Sequence, residues 1–558
     1  MSPTTTLAGI VEAVSATVLS FPIFQLVILV GIGLASFAIL YQLVLYPFYL
    51  SPLRHLAGPP LGPNLVIGRF ADILNGEAGI PQRDWVKKYG KVVRVVGPIG
   101  LQRVIFAGGE ALQKILPAFM REILGMVAGY GLLTVTGNRH KQMRKAMNPA
   151  FSIPNLTAQT DMYYEAIDGL LDILNSRITE VEKTQVGQGR IEIMYEWMSK
   201  VTLDIITITA FGYEADSLHN PDNELAEAYE ELISLQTGRN LARFIAILSI
   251  PGVSTFLSSE FAWRHRKTIA KLPFLSQAAI LMDAMHRIKA VSSAILQEKL
   301  AEAEHSENNE DTAAKKDIMS LLIRARMADQ KAQKSVAGGI GAAPYAMSDT
   351  EMMDQVLTFL GAGHETTASG LAWTLWLLAK DPIAQQRLRE EVTPLLEVSP
   401  DGKRKVRPGY RELKDLVWLD CVVQESLRLY PPIPMTFRQA ATTDYVDGVL
   451  IPKGTLYYIP IRVVNTLKDV WGEDAEEFNP SRWLPTTTPS PSTLTFLAGP
   501  HACIGKTMAI IEMKAVVAAL VANFEFSPAF EGQQADPTAA VTMKPRDGMP
   551  LLVKKIVQ

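Results

Sequence analysis

Apolar and charged positions divide this chain unevenly. Residues 13–53 contain no Asp, Glu, Lys, Arg or His, and from Phe24 to Leu45 the chain is almost wholly apolar. A helix needs about 20 such residues to cross a bilayer, so the pattern predicts one transmembrane anchor over 22–46, with residues 1–21 on its far side. Prolines at 47, 52, 59, 60 and 63 make the next stretch, 47–63, a stiff hinge. In the body that follows, 64–558, the runs 91–97 and 102–106 are rich in β-branched side chains and are parted by Pro98 and Gly100, which predicts a hairpin. Most of the remainder reads as helix, including a strongly apolar run at 195–211 whose plainest role is packing. Charge rises and aromatics vanish after residue 301, which reads as a flexible insert over about 302–346 around one short helix at 318–327. Ser348-Asp349-Thr350-Glu351 then spells a capping box, and the helix it starts runs to Leu378.

Composition narrows the function. Lys and Arg number 54 against 57 Asp and Glu, so no polyanion-binding surface follows and nucleic acid is not an expected partner. Only Cys421 and Cys503 occur, which argues against a disulfide-built fold and fits a reducing compartment. Glu12 precedes the apolar span while Arg54, His55 and Arg69 follow it, so the positive-inside bias places the body in the cytosol. No basic residue precedes the span and its apolar run is long, which favours a retained anchor over a cleaved signal peptide.

Three stretches carry chemistry. Phe496-Leu497-Ala498-Gly499-Pro500-His501-Ala502-Cys503-Ile504-Gly505-Lys506 sets one cysteine in a glycine-punctuated loop at the mouth of a helical run. Glycines let the backbone bend around the sulfur, and the helix N-terminus favours a thiolate. By itself a lone Cys is more often a small buried apolar residue. The second stretch, Gly361-Ala362-Gly363-His364-Glu365-Thr366-Thr367, places glycines, an acid and threonines inside an otherwise apolar helix; local propensity and position conflict there, as they do at functional sites. In the third, Glu425 and Arg428 share a helix face that ends at Tyr430-Pro431-Pro432, with Phe478-Asn479-Pro480-Ser481-Arg482-Trp483 downstream.

Taken in order, these motifs closely resemble the cytochrome P-450 family, the haem-thiolate monooxygenases, and most of all its fungal microsomal members. The resemblance implies a mainly α fold with smaller β elements, behind one N-terminal transmembrane helix. It implies haem b, iron protoporphyrin IX, with Cys503 as the metal ligand and Phe496, Gly499 and Gly505 shaping its loop. Thr366 and Glu365 would be the catalytic proton-delivering pair, with Gly363 allowing a local opening of the helix. Glu425, Arg428 and Arg482 would lock together as a structural brace. Arg438 and His501, and after them His140 and Arg144, would meet the haem propionates. His501, His140 and Asn465 stand where the family more often has Arg, Trp and His, and the change at Asn465 is expected to be structural only. Phe359, Ala362, Met435 and Phe437 would line a substrate pocket, with the loop 125–130 and Val541-Thr542-Met543 beside them, and 236–259 reads equally as an access lid or an amphipathic helix pair.

The implied reaction inserts one oxygen atom from O2 into a lipophilic small molecule, by hydroxylation or epoxidation, in secondary-metabolite biosynthesis such as terpenoid or polyketide tailoring. Electrons would come from NADPH through a separate NADPH-cytochrome P-450 reductase, with cytochrome b5 as a further donor, at the endoplasmic reticulum membrane. Two alternatives stay open: a haem-thiolate isomerase or dehydratase, and a non-catalytic membrane haem-binding protein. Neither has much need of an acid beside a threonine.

Overall fold

The structure is a computed structural model. It describes residues 23–62, 67–107, 121, 124–125, 128–183, 188–220, 222–235, 252–257, 259–271, 275–305, 316–336, 345–398, 404–446, 448–485, 493–538 and 541–556. Residues 1–21, Met126 and Val127, most of 236–259, and 306–315 and 337–344 of the expected insert lie outside them.

Helix α1, Ile23–Leu40, continues as a π-helical segment, Tyr41–Leu50, through Pro47. Among the described residues it is the one helix long and apolar enough to cross a membrane, over Val27–Leu50, and its most apolar 18-residue window has no residue buried in the protein. The helical run therefore passes the expected end of the anchor at 46. Arg94 reaches back to it, donating from Nη2 to Pro47 O at 2.6 Å.

The expected hairpin forms β1, Val92–Val96, and β2, Gln102–Phe106, paired antiparallel with Val92 opposite Phe106. Helices α2 (Gly137–Met147) and α3 (Tyr163–Glu182) follow, and strand β3 (Arg190–Ile193) leads directly into α4 (Met194–Phe211). Gly212, at φ 59° in the left-handed region, ends α4. Next come α5 (Glu224–Ser234), α6 (Ser276–His305) and α7 (Ile318–Val336). The expected insert is thus more ordered than its composition suggested: α6 reaches into it, and α7 is a 19-residue helix that continues past Met327. Ile318, Met319, Leu322 and Ile323 are buried, so an apolar stripe docks α7 despite its charged flanks.

The organising element is α8, Asp349–Lys380, a helix of 32 residues. Ser348 Oγ accepts from Glu351 N at 3.2 Å and the Glu351 carboxylate accepts from Ser348 N at 2.9 Å, so the capping box is complete. Behind its start the helix is buried nearly all round, with Trp373 wholly enclosed. It packs on α4 closely enough that a Cβ on Gly363 would lie 2.7 Å from Ile206 Cγ1.

Helix α9, Val417–Leu429, ends before Pro431-Pro432. Strands β4 (Thr436–Gln439) and β5 (Leu456–Ile459) then complete a four-stranded sheet in the order β1-β2-β5-β4, with β2 and β5 parallel. Helix α10, Lys506–Asn523, is rich in Ala and Val and buried on most faces. Strands β6 (Phe524–Pro528) and β7 (Pro550–Lys555) return to β3 as a three-stranded antiparallel sheet. The body is mainly helical with small sheets, as its pattern predicts.

Candidate active site

The cysteine loop turns through two left-handed residues, Leu497 at φ 57° and Gly499 at φ 76°. Cys503 N donates to Phe496 O at 2.9 Å and Ala502 N to Gly499 O at 3.0 Å. Gly505 differs from expectation: its φ of −86° is open to any residue, so it is not needed for the bend. A Cβ there would meet no atom within 4 Å; what glycine contributes is open space beside the sulfur and a backbone N–H directed at it.

Cys503 as a residue is exposed, with protein packed closely about its sulfur. Burial of the group among the surrounding protein pushes its pKa up, and the Gly505 N–H with the Arg144 and Lys506 cations pull it partly back. A thiol surrounded in this way ionises when a metal cation takes it as a ligand.

Cationic and imidazole groups gather at this loop. Arg144 Nη1, on α2, donates to Ala502 O at 2.5 Å. The rings of His140 and His501 stack with centroids 3.9 Å apart and planes at 29°. Burial, followed by His501 and Arg144, lowers His140 to about 4; burial, followed by Arg438 and Arg144, lowers His501 also. Arg438 is buried on β4 and donates to Thr436 Oγ1 at 2.9 Å and Phe437 O at 2.7 Å. The four expected propionate partners are therefore brought together at one end of the loop.

On α8, Ala362 is exposed between the half-buried Gly361 and Gly363. Thr366, one turn on, donates from Oγ1 to Ala362 O at 2.7 Å. The helix does not open at this point: it is α-helical throughout, and Gly363 serves close packing against Ile206 instead of a break. Glu365 is turned away from Thr366 and no hydrogen bond joins the two. Its Oε1 accepts from Thr542 Oγ1 at 2.5 Å and pairs with Lys544 Nζ at 2.5 Å. Burial would raise the carboxyl, but the Lys544 charge and the hydrogen bonds from Lys544 and Thr542 outweigh it and leave it lowered. His364 is buried, with Nδ1 2.7 Å from Leu360 O.

The expected pocket residues separate. Phe359 is held between Phe151 and Phe211, with ring centroids 5.8 and 6.4 Å away, so its ring belongs to the core. Met435 Sδ accepts from Gln82 Nε2 at 3.6 Å, and Phe437 meets Tyr458 edge to face at 5.0 Å. Both pack on the sheet, on the strand face opposite Arg438. Of the four, Ala362 is the one left open.

Glu425, Arg428 and Arg482 come together in full. Arg428 Nε and Nη2 each donate to the Glu425 carboxylate at 2.8 Å. Arg482 Nε adds a third bond at 2.9 Å, Trp483 Nε1 a fourth at 2.9 Å, and Asn479 N a fifth at 3.0 Å. The remaining Arg428 donors go to the carbonyls of Asn465, Ala475 and Glu477. Asn465 also takes Leu494 N at 2.8 Å and gives to Thr495 Oγ1 at 3.0 Å, which ties this brace to the strand of chain entering the cysteine loop.

Lys544 and Thr542 escaped notice as partners of Glu365. The available signal was a lysine set among apolar residues at Val541-Thr542-Met543-Lys544, a position where a charge is expected to be paired.

A mainly helical body with an exposed cysteine just before a buried helix, cations and imidazoles beside it, is an arrangement that suits a haem-thiolate protein. The family model Cytochrome P450 matches residues 85–552, and the chain belongs to that family. It is similar to Cytochrome P450 monooxygenase 205 of Postia placenta, 31% identical with 93% of this chain and 95% of that one covered. It is also similar to Cytochrome P450 monooxygenase sphH of Aspergillus fumigatus, 28% identical over 94% and 92% of the two chains. The protein is a cytochrome P450 monooxygenase, and haem is its prosthetic group. The residues present fit that group: an exposed cysteine with an N–H aimed at its sulfur, cations and imidazoles beside it, and a small apolar Ala362 at the open turn of α8.

Proposed function

We propose that this enzyme inserts one oxygen atom of O2 into a lipophilic small molecule, by hydroxylation or epoxidation, as a tailoring step of fungal secondary metabolism. The observation that carries the reading is the exposed Cys503 in a chain whose open α8 turn offers Ala362 and the hydroxyl of Thr366. When bound, haem supplies the redox chemistry, and Cys503 would be its ligand. Arg438, His501, His140 and Arg144 would hold the propionates, the arginines by charge and the imidazoles by N–H hydrogen bonds. Thr366 would release Ala362 O and hold a proton at the reacting oxygen, and Glu365 would pass protons to it. Glu425, Arg428 and Arg482 brace the loop from behind. An apolar anchor and an apolar open turn support a substrate that partitions into membrane.

Electrons would come from NADPH through a separate reductase, with cytochrome b5 as a second donor, on the cytosolic face of the endoplasmic reticulum. The 22–46 anchor, 47–63 hinge and 64–558 catalytic body are the organisation this requires.

The test is an untargeted mass comparison of metabolites from cells carrying wild type or Cys503→Ala. A compound one oxygen atom lighter than a vanished product is expected to accumulate, naming substrate and reaction together. An isomeric or dehydrated pair in its place would favour a haem-thiolate isomerase or dehydratase and overturn the monooxygenation.

A further inference from the structure

Arg94, on β1, carries a charge that the fold leaves unneutralised. Its Nε donates to Gln102 Oε1 at 3.0 Å and its Nη2 to Pro47 O at 2.6 Å, both neutral acceptors. Among the described residues no carboxylate pairs with this guanidinium, and its Nη1 finds no acceptor. The side chain is half-buried, and burial lowers its pKa with no opposite charge to restore it. A cation taken partly out of water is expected to have an anionic partner.

Its place says where that partner comes from. Arg94 Cζ lies 6.0 Å from the ring centre of Phe48, at the end of the stretch Val27–Leu50 that is long and apolar enough to cross a membrane. Beside them lies a cavity of about 160 Å³, bounded by Phe48 from that stretch, by Leu56 and residues 58–61 from the chain after it, and by Arg94 and Val96 from β1. A space of this size accepts one small organic group. Its walls are fixed: Arg94 N donates to Ala57 O at 2.9 Å and Arg69 Nε to Pro60 O at 2.7 Å. A Cβ on Gly58 would lie 1.9 Å from Arg94 O, so glycine is what lets this segment come so near the strand.

Arg94 is the one charged side chain in the lining, and Pro59 and Pro60 bring no N–H to it. A free inorganic anion needs several donors and gains nothing from apolar walls. A phosphodiester flanked by carbon suits one guanidinium among Phe, Leu, Val and Pro. At the end of a bilayer span, groups of that kind are phospholipid headgroups, and Arg54, exposed just past the span, adds to the attraction for anionic ones.

We propose that this cavity seats the phosphodiester of an anionic membrane phospholipid, with Arg94 Nη1 as donor and the glycerol carbons against Phe48, Leu56 and Leu61. The proposal rests on the reading of Val27–Leu50 as a membrane anchor, and adds a lipid that the catalytic body itself selects. Such a lipid would hold β1 at the headgroups and so fix the depth of the body.

The test uses the full-length, haem-loaded enzyme in discs of phosphatidylcholine containing a minor share of phosphatidylserine, released and weighed by native mass spectrometry. Phosphatidylserine is expected to stay on the protein in excess of its share of the disc. Arg94→Gln should lower that retention about tenfold or more. Leu61→Trp fills the cavity from a loop, leaves every Arg94 bond in place and should lower it also. Both should keep the carbon-monoxide difference band. Arg54→Gln, outside the cavity, should change retention little; an equal loss there would reduce the effect to general surface charge and overturn the site. Retention that survives both cavity variants overturns it as well. Displacement of the lipid by added inorganic phosphate or glycerol phosphate would show a site that reads phosphate alone and would end the lipid assignment. Failure of the protein to enter discs defeats the anchor; entry with no lipid retained beyond the disc's own proportions defeats this proposal and leaves the anchor standing.

Discussion

Glu425 and Arg428, one turn apart on α9, meet through two 2.8 Å bonds with neither side chain exposed to solvent. A buried pair of this kind is a poor source of net stability, but removing one partner strands the other. Glu425→Ala leaves the Arg428 and Arg482 guanidiniums and the Trp483 N–H without their shared acceptor. The expected cost is roughly 3–5 kcal/mol, and because Arg428 also holds Asn465 O, the damage reaches the cysteine loop. Thermal unfolding together with haem content of the purified protein checks this. A Glu425→Ala enzyme that melts like wild type and carries a full complement of haem would show that the brace is dispensable.

Thr366→Ala separates oxygen chemistry from haem binding. Among the described residues the hydroxyl's hydrogen bond goes to Ala362 O, one turn back on its own helix, so its loss should leave folding and the carbon-monoxide difference band intact. Product formed per NADPH consumed is expected to fall several-fold, with the missing electrons appearing as hydrogen peroxide or water. Unchanged coupling would remove Thr366 from the proton path.

How much of this was legible in the sequence depended on whether local chemistry spelled the answer. The capping box at Ser348 and Glu351, the Pro98–Gly100 turn and the Glu425–Arg428 spacing are local, and each appears in the fold with the partners its pattern implied. Composition misled over α7, because charged flanks concealed the stripe of Ile318, Met319, Leu322 and Ile323 that buries it. The partners of Glu365 were the least legible feature. Its neighbour in sequence is Thr366, yet its bonding partners are Thr542 and Lys544, 177 and 179 residues on; no period or motif announces a contact made by the chain's return. Gly363 was read for flexibility when the constraint was the distance to Ile206, a fact about a second helix.

The cap of α8 gives a pH dependence with a definite sign. Burial raises the Glu351 carboxyl, but bonds from Ser348 N, Tyr345 and Arg139 outweigh it and leave its pKa lowered. A depressed native pKa makes the contribution fully present above the unfolded value, about 4.3, and lost as pH falls through the native one. Glu351→Gln, which imitates the protonated acid, should cost about 1 kcal/mol at neutral pH. In denaturant titrations between pH 7 and pH 4, the gap between the two proteins should narrow toward the acid end. A gap that stays constant would assign the effect to shape and not to charge.

Gly361 and Gly363 of the site helix should respond oppositely to alanine. In an exposed helix interior the exchange favours folding by up to about 1 kcal/mol, so the outcome rests on what the new methyl meets. At Gly361 it would lie 3.4 Å from Ala128 Cβ, at the edge of ordinary contact. At Gly363 it would lie 2.7 Å from Ile206 Cγ1 and 2.8 Å from its Cδ1, and Ile206 is a β-branched residue held to one rotamer within α4. Overpacking there costs roughly 1–3 kcal/mol, enough to exceed the propensity gain and to push α4 off α8. Gly361→Ala should therefore melt at or above the wild-type temperature and Gly363→Ala below it. Because Thr202 Oγ1 donates to His364 O across the same contact at 3.0 Å, Gly363→Ala should also lower product per NADPH. Equal melting temperatures for the two variants would mean that α4 yields to the methyl, and that Gly363 is present for helix opening after all.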